Sequence, residues 1–139
     1  MAVIFTDIRA ALEKELVDAN IASIAHENVS FDPSTGTSYL EPLFIPTERR
    51  PATRGTGPQM LYRGVFRVLC HAKEGAGPGA ADSLANSVMG AFEAATDITY
   101  TNASNETILV SIDYAERRRG LLDTPWYTVP VNIGWYIYN

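Results

Sequence analysis

Gly75-Ala76-Gly77-Pro78-Gly79-Ala80 carries the strongest hint of cofactor chemistry in the chain. These residues follow a predicted strand, open a predicted helix and fit the loose G-x-G-x-x-A pattern of dinucleotide sites. Such a loop works by aiming free backbone amides at a pyrophosphate. Pro78 removes one of those amides. The preceding strand carries Arg63, Arg67 and His71, unlike a fully buried parallel strand. A plain strand-to-helix turn accounts for the same residues. No Walker lysine follows the glycines, which excludes a P-loop.

Cys70 and His71 are the next candidates. Adjacent residues of a strand point to opposite faces, so they cannot act on each other as nucleophile and base. A pair between Cys70 and His26 is conceivable, but a buried structural thiol is the simpler reading. One cysteine and two histidines supply no convincing zinc set. The carboxylate pairs Asp7/Glu13 and Asp113/Glu116 carry no pocket signal and read as solvated surface. The N-x-S/T tripeptides at Asn28, Asn102 and Asn105 read as chance matches. No catalytic residue, metal site or cofactor is expected.

Arginine is what remains. Nine of the eleven basic residues fall between Arg49 and Lys73 or between Arg117 and Arg119. Arg49, Arg50 and Arg54 sit in a predicted long loop, and Arg117, Arg118 and Arg119 in a second, charged one. These six are the candidate interface residues, because arginine forks pair with carboxylates across protein contacts. A solvated face is the alternative. With a net charge of −5, the chain suits docking on a protein surface better than wrapping nucleic acid.

The chain has 139 residues, 15.2 kDa, 46% hydrophobic and 19% charged. That is the size and composition of a single globular domain, expected over 1–139. A lone cysteine forms no internal disulfide, and a reducing cytoplasm is the expected setting. No apolar run approaches the roughly 20 residues of a membrane helix, so no membrane association is expected. The first residues lack the charge and apolar core of a secretory signal.

Several elements must position these residues. Ile4, Ile8, Ala11, Leu12, Leu16 and Ala19 predict a first helix, with Thr6 or Asp7 as its cap. Asp32 to Thr37 is turn chemistry. Tyr39 to Ile45 predicts a strand closed by Pro46, with Pro42 marking an edge or a bulge. Met60 to Ala72 predicts a long strand with an apolar even face. Ala81, Leu84, Ala85, Val88, Met89 and Phe92 give a second helix over about Ala80 to Ala94. Ile98 to Tyr100 suggests a short strand. Ile108, Val110, Ile112 and Tyr114 alternate inward, and so do Tyr127 to Ile137. The expected fold is α+β: a two-layer sandwich of a mainly antiparallel sheet of about four strands with two helices on one face.

The order of motifs resembles one protein family across nearly the whole chain. Ile24-Ala25-His26-Glu27-Asn28-Val29 is followed by Asp32-Pro33 and Gly36-Thr37-Ser38-Tyr39-Leu40-Glu41. A strand ending at Pro46 leads to an arginine- and glycine-bearing loop and Tyr62-Arg63-Gly64-Val65-Phe66-Arg67-Val68. Glu74-Gly75 and Ala80-Ala81-Asp82 open a helix, and Trp126-Tyr127-x-Val129-Pro130-Val131-x-Ile133-x-Trp135 closes the chain. This arrangement is similar to the tail terminator (tail completion) proteins of long-tailed phages, of the lambda type.

The resemblance implies a structural virion protein, without catalysis or cofactor. Its copies would form a homo-oligomeric ring, a hexamer, on the head-proximal end of the tail tube. The ring would stop tube growth and join the tail to the neck. Partners would be the tail tube protein and a neck or head-completion protein. DNA would pass through the lumen without specific binding, and assembly would occur in the host cytoplasm. A neighbouring neck or head-closure protein is the close alternative. A small cytoplasmic enzyme and a nucleic-acid-binding module are the distant ones.

Overall fold

The computed structural model describes residues 5–27, 29, 31, 38–73, 75, 78–123 and 125–139. The expected turn at Asp32 to Thr37, and Ala76 and Gly77 of the glycine-rich turn, lie outside them, as does Asn28. In chain order the elements are α1 (Phe5–Asp18), β1 (Ser23–Ile24), β2 (Tyr39–Pro51), β3 (Met60–Lys73), α2 (Gly79–Ala91), β4 (Asp97–Thr101), β5 (Thr107–Arg117), β6 (Leu121–Asp123) and β7 (Trp126–Tyr138).

The helices follow their apolar spacing. Ile8, Ala11, Leu12 and Leu16 of α1 are buried, three and four residues apart. The chain leaves the helix through Asn20, whose φ of 50° is left-handed. Asp7 lies inside the first turn rather than capping it, and accepts a hydrogen bond from Asn102 Nδ2 at 3.1 Å. Asn102 Oδ1 in turn accepts the backbone N–H groups of Ser104 and Glu106, both at 2.9 Å, and so shapes the β4–β5 turn. In α2 the buried residues are the small Ala81, Ala85 and Val88, which let it lie close to the sheet. The helix stops at Ala91, and the Phe92 ring drops into the core 5.8 Å from Phe66.

The strands form a seven-stranded sheet in the order β1-β2-β3-β7-β5-β4, with β6 pairing β7 beyond the end of β5. β1 and β2 are parallel, and the other pairs are antiparallel. About half of the chain, 49%, is strand, and the sheet curls into a half-barrel. The two-layer α+β sandwich of about four strands is therefore wrong: this is a mostly β fold. Two causes are visible. β1 and β6, of two and three residues, are too short to show a period. Curvature also leaves no trace in alternation; it accompanies irregularities such as those between Pro46 and Glu48 and between Ile112 and Tyr114.

The inner face holds the core. Tyr62, Phe66, Val68 and Cys70 of β3 meet Val129, Val131, Ile133 and Trp135 of β7 and Val110 and Ile112 of β5, with α1 and α2 packed on the same cluster. α1 touches both β2 and β4, near the two ends of the sheet, and so bridges the opening of the curl. The irregularity at Asp113 corrects one expectation. Ile112 faces Trp135 and Tyr114 faces Gly134, so Asp113 is an extra residue and Tyr114 turns to the outer face. Ala115 packs against the core instead.

Gly64 is closely approached by the neighbouring strands. A Cβ there would stand 2.5 Å from the Ile45 carbonyl oxygen, 2.6 Å from Trp135 Cζ2 and 2.9 Å from Pro46 Cα. Two of those three atoms are backbone and cannot swing aside. Gly64→Ala is therefore expected to destabilise the chain by about 1–3 kcal/mol, the usual cost of overpacking. Urea unfolding checks this, and an unchanged midpoint would show that the bulge yields freely.

Candidate interface surfaces

Arg49 and Arg50 do not lie in a loop. β2 continues through Pro46 to Pro51, and Glu48, Arg49, Arg50 and Pro51 pair with Arg63, Tyr62, Leu61 and Met60. The expected loop from Thr47 to Gln59 is thus a paired arm with a short tip at 52–59. Ala52 N–H bonds the Gln59 carbonyl at 2.7 Å, and Gln59 N–H bonds Thr53 Oγ1 at 2.8 Å. Gly55 and Gly57, at φ of 105° and 66°, let the chain reverse there.

The arginines of the arm part company. Arg49 lies over the Tyr62 ring, 5.7 Å from its centroid, where a cation–π attraction holds it. Arg50 Nε reaches Glu48 Oε1 at 3.0 Å, and Arg63 stands 3.9 Å from the other Glu48 oxygen. Arg54 is exposed at the tip and has no ion pair among the described residues.

β2 is an edge strand beyond Leu40, and it is guarded. The Leu40 carbonyl accepts a hydrogen bond from Ala25 N–H at 2.7 Å, so the backbone groups of Leu40 point away from β3. Alternation puts Pro42, Phe44 and Pro46 on that side as well. Ala52 bonds toward β3, which turns Pro51 outward too. Prolines at Pro42, Pro46 and Pro51 remove donors where an invading strand would seek them. A proline at such a position costs no ladder bond, which is why Pro46 does not end the strand.

The second arginine group is elsewhere. Arg117 is the last residue of β5 and its guanidinium binds Asp82 of α2. Arg118 N–H bonds the Pro130 carbonyl at 2.8 Å, and its side chain lies 3.3 Å from Glu116. Arg119 is exposed. Arg49 is in register with Tyr62 and hence Ile137, whereas Arg117 is in register with Val131. Six residues of β7 separate them, about 20 Å at the usual strand rise. The six candidate arginines therefore do not form one patch.

The expected charged loop from Glu116 to Pro125 contains β6. Leu121 and Leu122 there are 58% and 65% exposed, an unusual state for two adjacent leucines. Leucines set between Gly120 and Asp123 were a legible signal that reading the stretch by charge missed. Leu122 borders a surface cavity of about 380 Å³ with Gly75, Pro78 and Tyr127.

The outer face also holds a polar cluster that no motif announced. His71 Nδ1 lies 2.7 Å from Thr128 Oγ1, and Nε2 lies 3.0 Å from Glu41 Oε1. Tyr39 stacks on the imidazole with ring centroids 4.4 Å apart, and Trp126 meets Tyr39 edge-on at 5.1 Å. This carboxylate, imidazole and hydroxyl have the order of a nucleophilic triad. Yet His71 is 4% exposed and Thr128 6%, so the hydroxyl offers no access to a substrate. The cluster ties β2, β3 and β7 together.

Cys70 lies in the core while His26 lines a surface groove, so the two are not brought together. Burial pushes the Cys70 thiol up to about 12, against a smaller opposing pull from Arg117, and keeps it protonated at neutral pH. Pro78 sits at the N-cap of α2, and its carbonyl accepts the Asp82 N–H at 2.9 Å. Among the described residues no three His, Cys, Asp or Glu side chains are placed to hold a metal ion. No described helix is long and apolar enough to cross a membrane.

Comparison with known proteins gives three findings. A family model described as phage tail terminator protein matches residues 7–135. No curated protein matches the chain significantly. Among the solved structures that match, one is similar to the chain with a TM-score of 0.71 and 24% identity, over 94% of this chain and 92% of that one. At that identity the likeness extends to the fold.

Proposed function

The chain belongs to the phage tail terminator protein family and is a structural phage tail protein, and from that premise we propose that it forms a ring on the head-proximal end of the tail tube, halts tube growth there and presents the surface that joins the neck. The family match over residues 7–135 carries this reading. The protein acts through contact surfaces, with no catalytic step and no cofactor. Its partners are further copies of itself, the tube protein and a neck or head-completion protein.

The surfaces are suited to that work. A closed ring uses heterologous contacts, in which two different patches of each copy meet. The arm with Arg49, Arg50 and Arg54 and the β6 turn with Arg118, Arg119, Leu121 and Leu122 are separate projections at different places on one sheet. The prolines of β2 keep that edge from adding strands indefinitely, so contacts there run through side chains. A net charge of −5 favours a lumen that does not hold DNA phosphates during transit.

The test is tube assembly. Added to polymerising tail tube protein, the chain is expected to shorten the tubes and leave a ring at one end in electron micrographs. Tubes of unchanged length with bare ends would overturn the reading. Binding to the head connector alone would make the protein a neck component instead.

A further inference from the structure

A groove of about 300 Å³ opens beside the polar cluster, on the outer side of β2. Glu27, Val29 and Phe31 form one wall, and Tyr39, Glu41 and Leu43 form the other. The Phe31 and Tyr39 rings lie 5.0 Å apart, centroid to centroid. Glu41 Oε1 is held by His71, whereas Oε2 has no partner among the described residues. Glu27 is bound by Arg9 at 2.8 Å. Among the described residues, two carboxylates against one guanidinium leave the groove with a surplus negative charge. A concave site with a carboxylate beside aromatic rings is the chemistry that receives a cationic, planar group.

The same chain carries such a group. Arg54 stands on the ordered tip of the arm, exposed and free of ion pairs among the described residues. Glu41 and the tip lie at opposite ends of the β2–β3 pair. The ten residues from Glu41 to Pro51 span about 30 Å. No bending of the tip can bring Arg54 to Glu41 of its own chain, so any contact between them joins two copies head to tail. That is the heterologous arrangement a ring requires.

We propose that Arg54 of one copy seats in the groove of the next, its guanidinium on the Glu41 carboxylate and against the Tyr39 and Phe31 rings. His71 acts as a positioning residue that fixes the Glu41 rotamer. The contact rests on the ring reading above and names the surface that receives the arm.

Sedimentation velocity across concentration, in the presence and absence of tube ends, tests the contact with wild type, Arg54→Glu, Glu41→Arg and the double variant. Glu41→Gln is added because it removes the charge but keeps the hydrogen bond to His71. The expected result is assembly weakened at least about tenfold in both reversals, with the double variant recovering most of it. Glu41→Gln should be weakened in the same direction. Wild-type strength in Arg54→Glu, or a double variant no better than the worse single, would overturn the contact while leaving the ring intact. Loss of tube binding with unchanged self-association would give the groove to the tube protein, and overturn it too. A wild type that never associates would overturn both the contact and the ring.

Discussion

Phe66→Ala is expected to cost about 3–5 kcal/mol, the usual loss when a fully buried aromatic is truncated. Phe66 is 0% exposed at the middle of β3, flanked in register by Phe44 of β2 and Ile133 of β7. Phe92, just past α2, closes on it from the helical layer. Three strands and a helix terminus therefore meet at one ring. None can collapse into the space without disturbing the curl of the sheet, so much of the cavity should persist. A loss of that size is a large fraction of the 5–15 kcal/mol that holds an ordinary domain together. Val65→Ala makes the contrast. Its side chain is half-buried on the outer face between Ile45 and Gly134, and should cost under about 1.5 kcal/mol. Denaturant midpoints for the two variants measure both. Equal losses would mean that the outer face is as tightly packed as the core, and that the inside-outside assignment of β3 is wrong.

That assignment was legible because β3 and β7 alternate for thirteen residues or more, long enough to establish a period. The small-residue stripe of α2 was legible for the same reason. Where the reading failed, a single residue had changed the parity. Ile108, Val110, Ile112 and Tyr114 look like unbroken alternation, but the extra Asp113 reverses the faces and sends Tyr114 out. Pro46 resembled a strand end, since a proline usually costs a ladder bond; at an outward edge position it costs none. Arg49 and Arg50 moved from loop to strand on that one point. The arginines were found by residue type, but their partners were not. Glu41, His71 and Thr128 are brought together from positions 30 and 57 residues apart, a separation that no local pattern can reveal. The groove beside them lies between β2 and the stretch just before it in the chain, residues 25–31, which shows no period that would place it against the strand.

Cys70 should steepen the alkaline limb of the stability curve. It is 0% exposed, and burial holds its thiol near 12 against an ordinary 9.0. Below pH 9 the thiol is protonated in both folded and unfolded chains and contributes nothing to pH dependence. Between 9 and about 12 the unfolded chain loses this proton and the folded chain keeps it. The unfolded state then binds fewer protons, so stability falls as pH rises, by roughly 1.4 kcal/mol per pH unit. Over the whole window the loss approaches about 4 kcal/mol. Cys70→Ala lacks the group. Its stability at pH 8 should be lower by about 1 kcal/mol for the lost packing. As the pH rises its curve should cross that of the wild type and lie above it by pH 11. Every other ionisable group is common to both chains, so the difference between the curves isolates the thiol. Parallel curves from pH 8.5 to 11 would show that the thiol ionises in place, and that the inner face of β3 admits water. Alkylation gives a second measure: at neutral pH iodoacetamide should label Cys70 no faster than the chain opens.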